Sequence, residues 1–331
     1  VLNAEAVHTT TVESRRKSGD DADLRTLKPK LAIFAAALIW GSSFVMMKNA
    51  VGVFPTYTLL AFRFSIACAL LCLIYYKRLK GIDRDYLKKT AVIGICLFLA
   101  YSFQTVGIRY TTPGKNAFLT ATYVIIVPFF HWLVGKHRPG VKNIVAACAC
   151  LVGIALISFV SAGDAASPGL GVIGFGDALT LVCGFFYAAH MVFLGIYSVG
   201  KDPVLLTILQ FGYCAIFFSL IGFSIETMPR SVEPAAVCNV LYLAVFCTAI
   251  AMLFQNYGQK YTSPAAASLI MSLESVFGVL FSVFFYGEVL TPRLITGFLL
   301  VFAAILLSEI QISRQRPRSP AVAVGRAREQ R

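Results

Sequence analysis

The 331-residue chain is 58% hydrophobic and 14% charged, with a mean hydropathy of +0.75. Soluble domains carry about 25% charged residues, so this composition points to the bilayer as solvent. The net charge of +13 gathers in the tails and in certain connections and forms no basic groove with interleaved aromatics, which excludes nucleic acid as a partner.

The chain opens with a polar, charged segment, 1–30, that lacks the apolar core of a signal peptide and reads as a cytoplasmic tail. Ten apolar stretches follow at about 31–50, 56–76, 89–109, 113–134, 140–160, 172–198, 203–224, 235–259, 264–287 and 290–312. Each has about 20 residues or more, enough for a helix to cross a hydrocarbon core of about 30 Å. The expected fold is an all-α membrane protein of ten transmembrane helices. A basic segment, 313–331, closes the chain and reads as a second cytoplasmic tail. Lys and Arg concentrate in the two tails, in the loop after span two (Lys77 to Lys89) and in the loop after span four (Lys136, Arg138, Lys142). All four segments share one side of the membrane when both termini are cytoplasmic. The nine Cys lie in or beside apolar stretches and read as packing residues, with no metal site and no disulfide framework. Gly169 to Gly174 fits the spacing GxGxxG but leads into a span and follows no strand, so no dinucleotide cofactor is expected.

The segment Phe103 to Pro113 returns as Phe254 to Pro264, with Phe, Gln, Gly, Tyr, Thr and Pro recurring 151 residues apart. Earlier in the halves an offset of 147 relates Trp40 to Tyr187 and Arg63-Phe64 to Gln210-Phe211. The chain therefore divides into two five-span halves, 31–160 and 172–312. Five is odd, so the second half crosses in the opposite sense. Inverted repeats of this kind place a site near the midplane at the interface between the halves. Gln104, Gly107, Pro113, Gln255, Gly258 and Pro264 read as the residues that hold the two repeated helix–loop–helix corners.

The residues then carry a resemblance. Span one holds Trp40-Gly41-Ser42-Ser43-Phe44, span two holds Ala61-Phe62-Arg63-Phe64, and Phe-Gln-x-x-Gly closes spans three and eight. Span nine holds Ser272-Leu273-Glu274-Ser275-Val276-Phe277, followed by Tyr286-Gly287-Glu288-Val289-Leu290-Thr291 and Gly297. Over about 31–312 the chain resembles the ten-helix, EamA-type branch of the drug/metabolite transporter superfamily. Two departures stand out. Ser275 occupies a place where the family often has Pro, which bears on a helix kink. The first half ends in Gly135-Lys136-His137, where a Gly-Glu pair is common. The resemblance implies a secondary transporter of small organic metabolites, often an exporter, working by alternating access without ATP hydrolysis. It implies a location in the bacterial cytoplasmic (inner) membrane.

Glu274 is the sharpest candidate. It lies about ten residues into span nine, so about 15 Å deep, where a carboxylate needs a polar cavity or a partner. It reads as a proton-coupling group, as an anchor for a cationic substrate group, or as a helix-packing hydrogen bond. The offset of 151 sets Tyr123 opposite it as a cavity-lining phenol. Arg63 reads as a substrate contact, as a partner for Glu274, or as an interfacial side chain that snorkels. Trp40 and Tyr187 read as cavity walls or as packing, with Gln210 at the repeat position of Arg63. His190 reads as a titrating cavity group or a hydrogen-bonded packing residue, and Lys48 as a side chain reaching water near the outer end of span one. The partners expected are a small-molecule substrate such as an amino acid or related amphipathic compound, the lipid bilayer, and a proton or another coupling ion. The competing functions are an intramembrane enzyme and a membrane receptor or scaffold. No HExxH, paired aspartates in one span, or nucleophile with a neighbouring base supports the first, and the loops are too short for a ligand domain.

Overall fold

The computed structural model describes residues 2–135, 138–158, 173–229, 231–262 and 270–310. Among them the chain is helical and contains no strand. Helix α1 runs Leu2–Val53 and α2 Thr56–Ile74. A 3-10 turn, Tyr76–Gly81, leads to α3, Arg84–Arg109. Helix α4 has two segments, Pro113–Ala121 and Tyr123–Gly135. Then come α5 (Val141–Ser158), α6 (Phe175–Tyr197) and α7 (Pro203–Ile225). Helix α8 comprises Pro234–Tyr242, a π-helical stretch Leu243–Ile250, and Ala251–Tyr261. Helix α9 comprises Leu273–Phe281 and a π turn Ser282–Tyr286, and α10 is Pro292–Ile310.

Among the described residues, seven helices (α1 to α4 and α6 to α8) are long and apolar enough to cross a membrane, and α5, α9 and α10 supply shorter apolar helices. Large apolar side chains such as Leu73, Ile216, Phe284 and Leu299 are exposed on the outside, as contact with lipid requires. Helix starts follow short polar signals. Asp83 accepts from Tyr86 N at α3, Thr112 accepts from Lys115 N ahead of Pro113 at α4, and Asp202 accepts from Val204 N ahead of Pro203 at α7. The expected corner residue Pro113 is thus the first residue of α4, whereas Pro264 lies outside the described residues.

Lipid tails are as apolar as Leu, so helices associate in a membrane through close packing. A Cβ on Gly278 of α9 would lie 2.4 Å from Ala117 Cβ of α4, and one on Gly41 of α1 would lie 2.3 Å from Phe277 Cβ of α9. These two contacts bring three helices of the site together. Gly107 and Gly258 act in the same way as helix contacts, against Thr180 of α6 and Ile33 of α1. Gly278→Leu should destabilise the protein by about 3 kcal/mol or more, read as a fall in the thermal unfolding midpoint in detergent. An unchanged midpoint would refute this account of the α4–α9 contact.

Helices α5 and α10 pack on each other, with Arg293 Nε donating to Leu156 O at 2.9 Å. The connections sort onto two faces. One carries residues 53–56, 109–113, 225–229 and 286–292, and the other carries 75–84 and 197–203. At the 109–113 face Gly287, at φ +73°, turns the chain after α9, in the left-handed region that favours glycine. Glu288 then accepts from Gly114 N (3.0 Å), Thr112 Oγ1 and Ser282 Oγ, which caps the start of α4. At the 75–84 face Arg78 pairs with Asp202, and Lys201 with Asp85 and Asp83.

Candidate functional site

Between the halves lies a cavity with about 760 Å³ of empty space, open solvent at its mouth included. Its wall comes from α1 (Trp40, Ser43, Phe44, Met47), α2 (Arg63), α3 (Leu97, Tyr101, Gln104, Ile108), α4 (Asn116, Thr120, Tyr123), α6 (Tyr187, His190, Met191), α8 (Met252, Gln255) and α9 (Met271, Glu274). Helices α5 and α10 contribute no described wall residue. Neither does α7, which packs against α2 and α3.

Two repeat-related breaks shape the centre. Helix α4 is interrupted at Thr122, whose Oγ1 donates to Leu119 O at 2.6 Å. Helix α9, helical from residue 270 among the described residues, is interrupted at Ser272, whose carbonyl accepts from Ser275 N at 3.3 Å and Ser275 Oγ at 2.8 Å. Tyr123 and Glu274 each sit at the first turn after the break. The serine bonds form a turn at α9 without a proline. Glu274, 7% exposed, occupies the N-terminal turn of a helical segment, where the helix dipole favours a carboxylate. Among the described residues no hydrogen bond or ion pair reaches its carboxyl oxygens.

Arg63, 2% exposed, is held by its neighbours with no carboxylate partner among the described residues. Its Nε donates to Thr248 Oγ1 at 2.6 Å and its Nη2 reaches Tyr101 Oη at 3.4 Å. The guanidinium also lies 4.8 Å from the Tyr101 ring centroid, a cation–π contact. The π-helical stretch of α8 sets up these contacts. Thr248 Oγ1 donates five residues back, to Leu243 O at 2.8 Å, and the Cys247 carbonyl accepts from Trp40 Nε1 at 2.8 Å. Such π segments re-aim side chains and backbone groups and gather at functional sites.

On the other wall Tyr187 Oη donates to Gln104 Oε1 at 2.9 Å, and Gln104 Nε2 donates to Thr120 Oγ1 at 3.1 Å. His190 Nε2 bonds Gln210 Oε1 at 2.8 Å. The rings of Tyr101 and Tyr123 flank Tyr187 at 5.7 and 6.1 Å. The structure thus gathers Trp40, Arg63, Tyr123, Tyr187, His190 and Glu274 around one space. It places Gln210 behind the wall as the partner of His190. Gln104 and Gln255, read from sequence as corner residues, stand in the wall itself, because α3 and α8 turn these positions inward one turn before the corner. Sequence reasoning passed over Tyr101, Asn116, Thr120 and Thr248. Their only signal was a hydroxyl or amide inside an apolar span, which is weak beside a charge.

Residues 27–159 and 174–310 each match the model of the EamA-like transporter family. The chain belongs to the EamA-like transporter family. An uncharacterized transporter of Archaeoglobus fulgidus is 32% identical over 299 residues, covering 90% of this chain and 91% of that one. The EamA-like chain is also similar to the uncharacterized transporter YvbV of Bacillus subtilis, at 24% identity over 90% of this chain and 96% of the relative. A solved crystal structure shares the fold with a TM-score of 0.58 and 19% identity, over 86% of this chain and 98% of that one. Family and relatives alike carry the name of transporter, not of enzyme. The protein is an integral membrane transporter with two EamA repeats.

Proposed function

We propose that this protein moves small zwitterionic organic solutes, amino acids or related amphipathic compounds, out of the cell by alternating access without ATP hydrolysis. The observation that carries the reading is that Arg63 and Glu274 wall one cavity and neither is ion-paired among the described residues. A buried charge without a counter-charge is costly. A solute bearing a carboxylate and an ammonium satisfies both, while Trp40, Tyr187, Met191 and Met252 take its apolar part.

The same reading takes 31–160 and 172–312 as inverted five-helix halves, with ten spans and both tails in the cytoplasm, as the Lys and Arg distribution favours. The 109–113 face is then extracellular. A Cys placed at Met228 should react with an impermeant reagent added outside, and one placed at Asp83 should not; the reverse pattern overturns this topology.

Thermal unfolding in detergent tests the substrate class, since a ligand stabilises the state that binds it. Zwitterionic amino acids should raise the midpoint, and the matching amines and carboxylic acids should raise it less. Stabilisation by neutral or purely anionic solutes alone would overturn the reading.

A further inference from the structure

We propose that Lys48 is the latch of a gate at the 109–113 face, and that the empty protein rests with this face closed and the opposite face leading to the cavity. The proposal rests on the alternating-access reading but not on the identity of the solute. The last four carbonyls of a helix lack partners inside it, and that end carries partial negative charge. Lys48 crosses from α1 to the end of α3 and donates to Ile108 O (2.7 Å), Arg109 O (3.0 Å) and Thr111 O (2.8 Å). An ammonium has three N–H donors, so all three are engaged. In return Arg109 Nη2 donates to Phe54 O, just past the end of α1, at 2.8 Å. Met47, beside Lys48, and Ile108 both belong to the cavity wall. The latch therefore closes over the edge of the cavity, and solute cannot pass between α1 and α3 on this side until those bonds break.

Inverted halves of identical sequence would close equally well at both faces. These halves differ at the latch. The offset of 147 relates Lys48 on α1 to Gly195 on α6, and the offset of 151 relates the end of α3 to the end of α8. Gly195 offers no donor, and a Cβ built there meets nothing within 4 Å. A second contact is lopsided in the same sense. Glu226, at the end of α7, accepts from Tyr57 N (3.0 Å), Thr58 N (2.7 Å) and Thr58 Oγ1 (2.9 Å) at the start of α2. The position 147 residues earlier is Leu79. The ion pairs of the 75–84 face, like the Glu226 contact, join helices already packed together; they link the α2–α3 connection to the start of α7 and reach none of α1, α4, α8 or α9, so among the described residues the Lys48 bridge between α1 and α3 has no counterpart there.

Labelling with a membrane-impermeant maleimide tests the latch without any substrate. Rates are read on Met47→Cys for the 109–113 face and Met191→Cys for the opposite face, each corrected for labelling of the parent protein. Lys48→Met should speed reaction of Met47→Cys from the 109–113 side about tenfold or more, whereas Lys48→Arg, which keeps the donors, should change it far less. Gly195→Lys supplies the missing latch and should slow reaction of Met191→Cys from the opposite side. It also replaces a helical glycine by a better helix former, so it carries the test if Lys48→Met does not fold. Unchanged rates in Lys48→Met, or in Gly195→Lys where Lys48→Met does not fold, would overturn the latch, even with zwitterion binding intact. An increase seen only from the cytoplasmic compartment would reverse the topology and leave the latch standing.

Discussion

Glu274→Gln is expected to reduce proton-driven accumulation about tenfold or more, the effect of about 1.4 kcal/mol, while solute exchange at equal pH persists. The argument starts from the site. Glu274 faces the cavity at the first turn after a helix break and has no hydrogen-bond or ion-pair partner among the described residues. A carboxyl group so placed can take up a proton when the solute's ammonium leaves and release it when the ammonium returns. Glutamine keeps the shape and the hydrogen-bonding capacity but cannot change charge. Stability separates this reading from a packing role. Replacing an unpaired buried carboxylate by a neutral amide should hold or raise the unfolding midpoint. A packing hydrogen bond would instead be weakened, lowering the midpoint and leaving the pH profile of flux unchanged. Identical pH profiles for wild type and a well-folded Gln variant would sink the coupling role.

The large features of the molecule were legible before its structure. Repetition of Phe-Gln-x-x-Gly and a buried carboxylate inside an apolar helix both follow from sequence spacing and from the cost of charge in a membrane. Finer features depend on which way a helix is rotated, and apolar spans carry little periodicity to show it, since lipid and core are both apolar. Gln104 illustrates this. Its proximity to a corner suggested a corner role, yet the rotation of α3 turns it toward Tyr187 and Thr120. Gln210 shows the opposite case, since α7 packs on α2 and α3 away from the cavity wall and Gln210 is left to orient His190. Lys48 was read as reaching for water because its acceptors are backbone carbonyls at a helix end, and no side-chain pattern announces those. The break before Glu274 was equally hidden, because Ser272 and Ser275 form it without the proline that would have signalled it.

Arg63→Met should change what the cavity binds more than whether the protein folds. The guanidinium is buried with no carboxylate partner among the described residues and rests on Thr248 Oγ1 and the Tyr101 ring. Thr248 keeps its own donated bond to Leu243 O when the arginine is removed, so the variant loses one acceptor contact and sheds the cost of a buried cation. Binding is another matter. A hydrogen bond to a charged group contributes about 1.5–3 kcal/mol, so affinity for a zwitterion should fall about 10- to 150-fold. Amines lacking the carboxylate should lose little, because Glu274 still receives them. The variant should therefore cease to prefer the zwitterion over its amine. Arg63→Lys should lie between, since lysine keeps the charge but not the planar fork that meets a carboxylate with two bonds. If Arg63 instead serves only to hold α2 against α8, Arg63→Met should lower the unfolding midpoint sharply. Affinities for zwitterion and amine would then fall in the same proportion, with the preference between them intact.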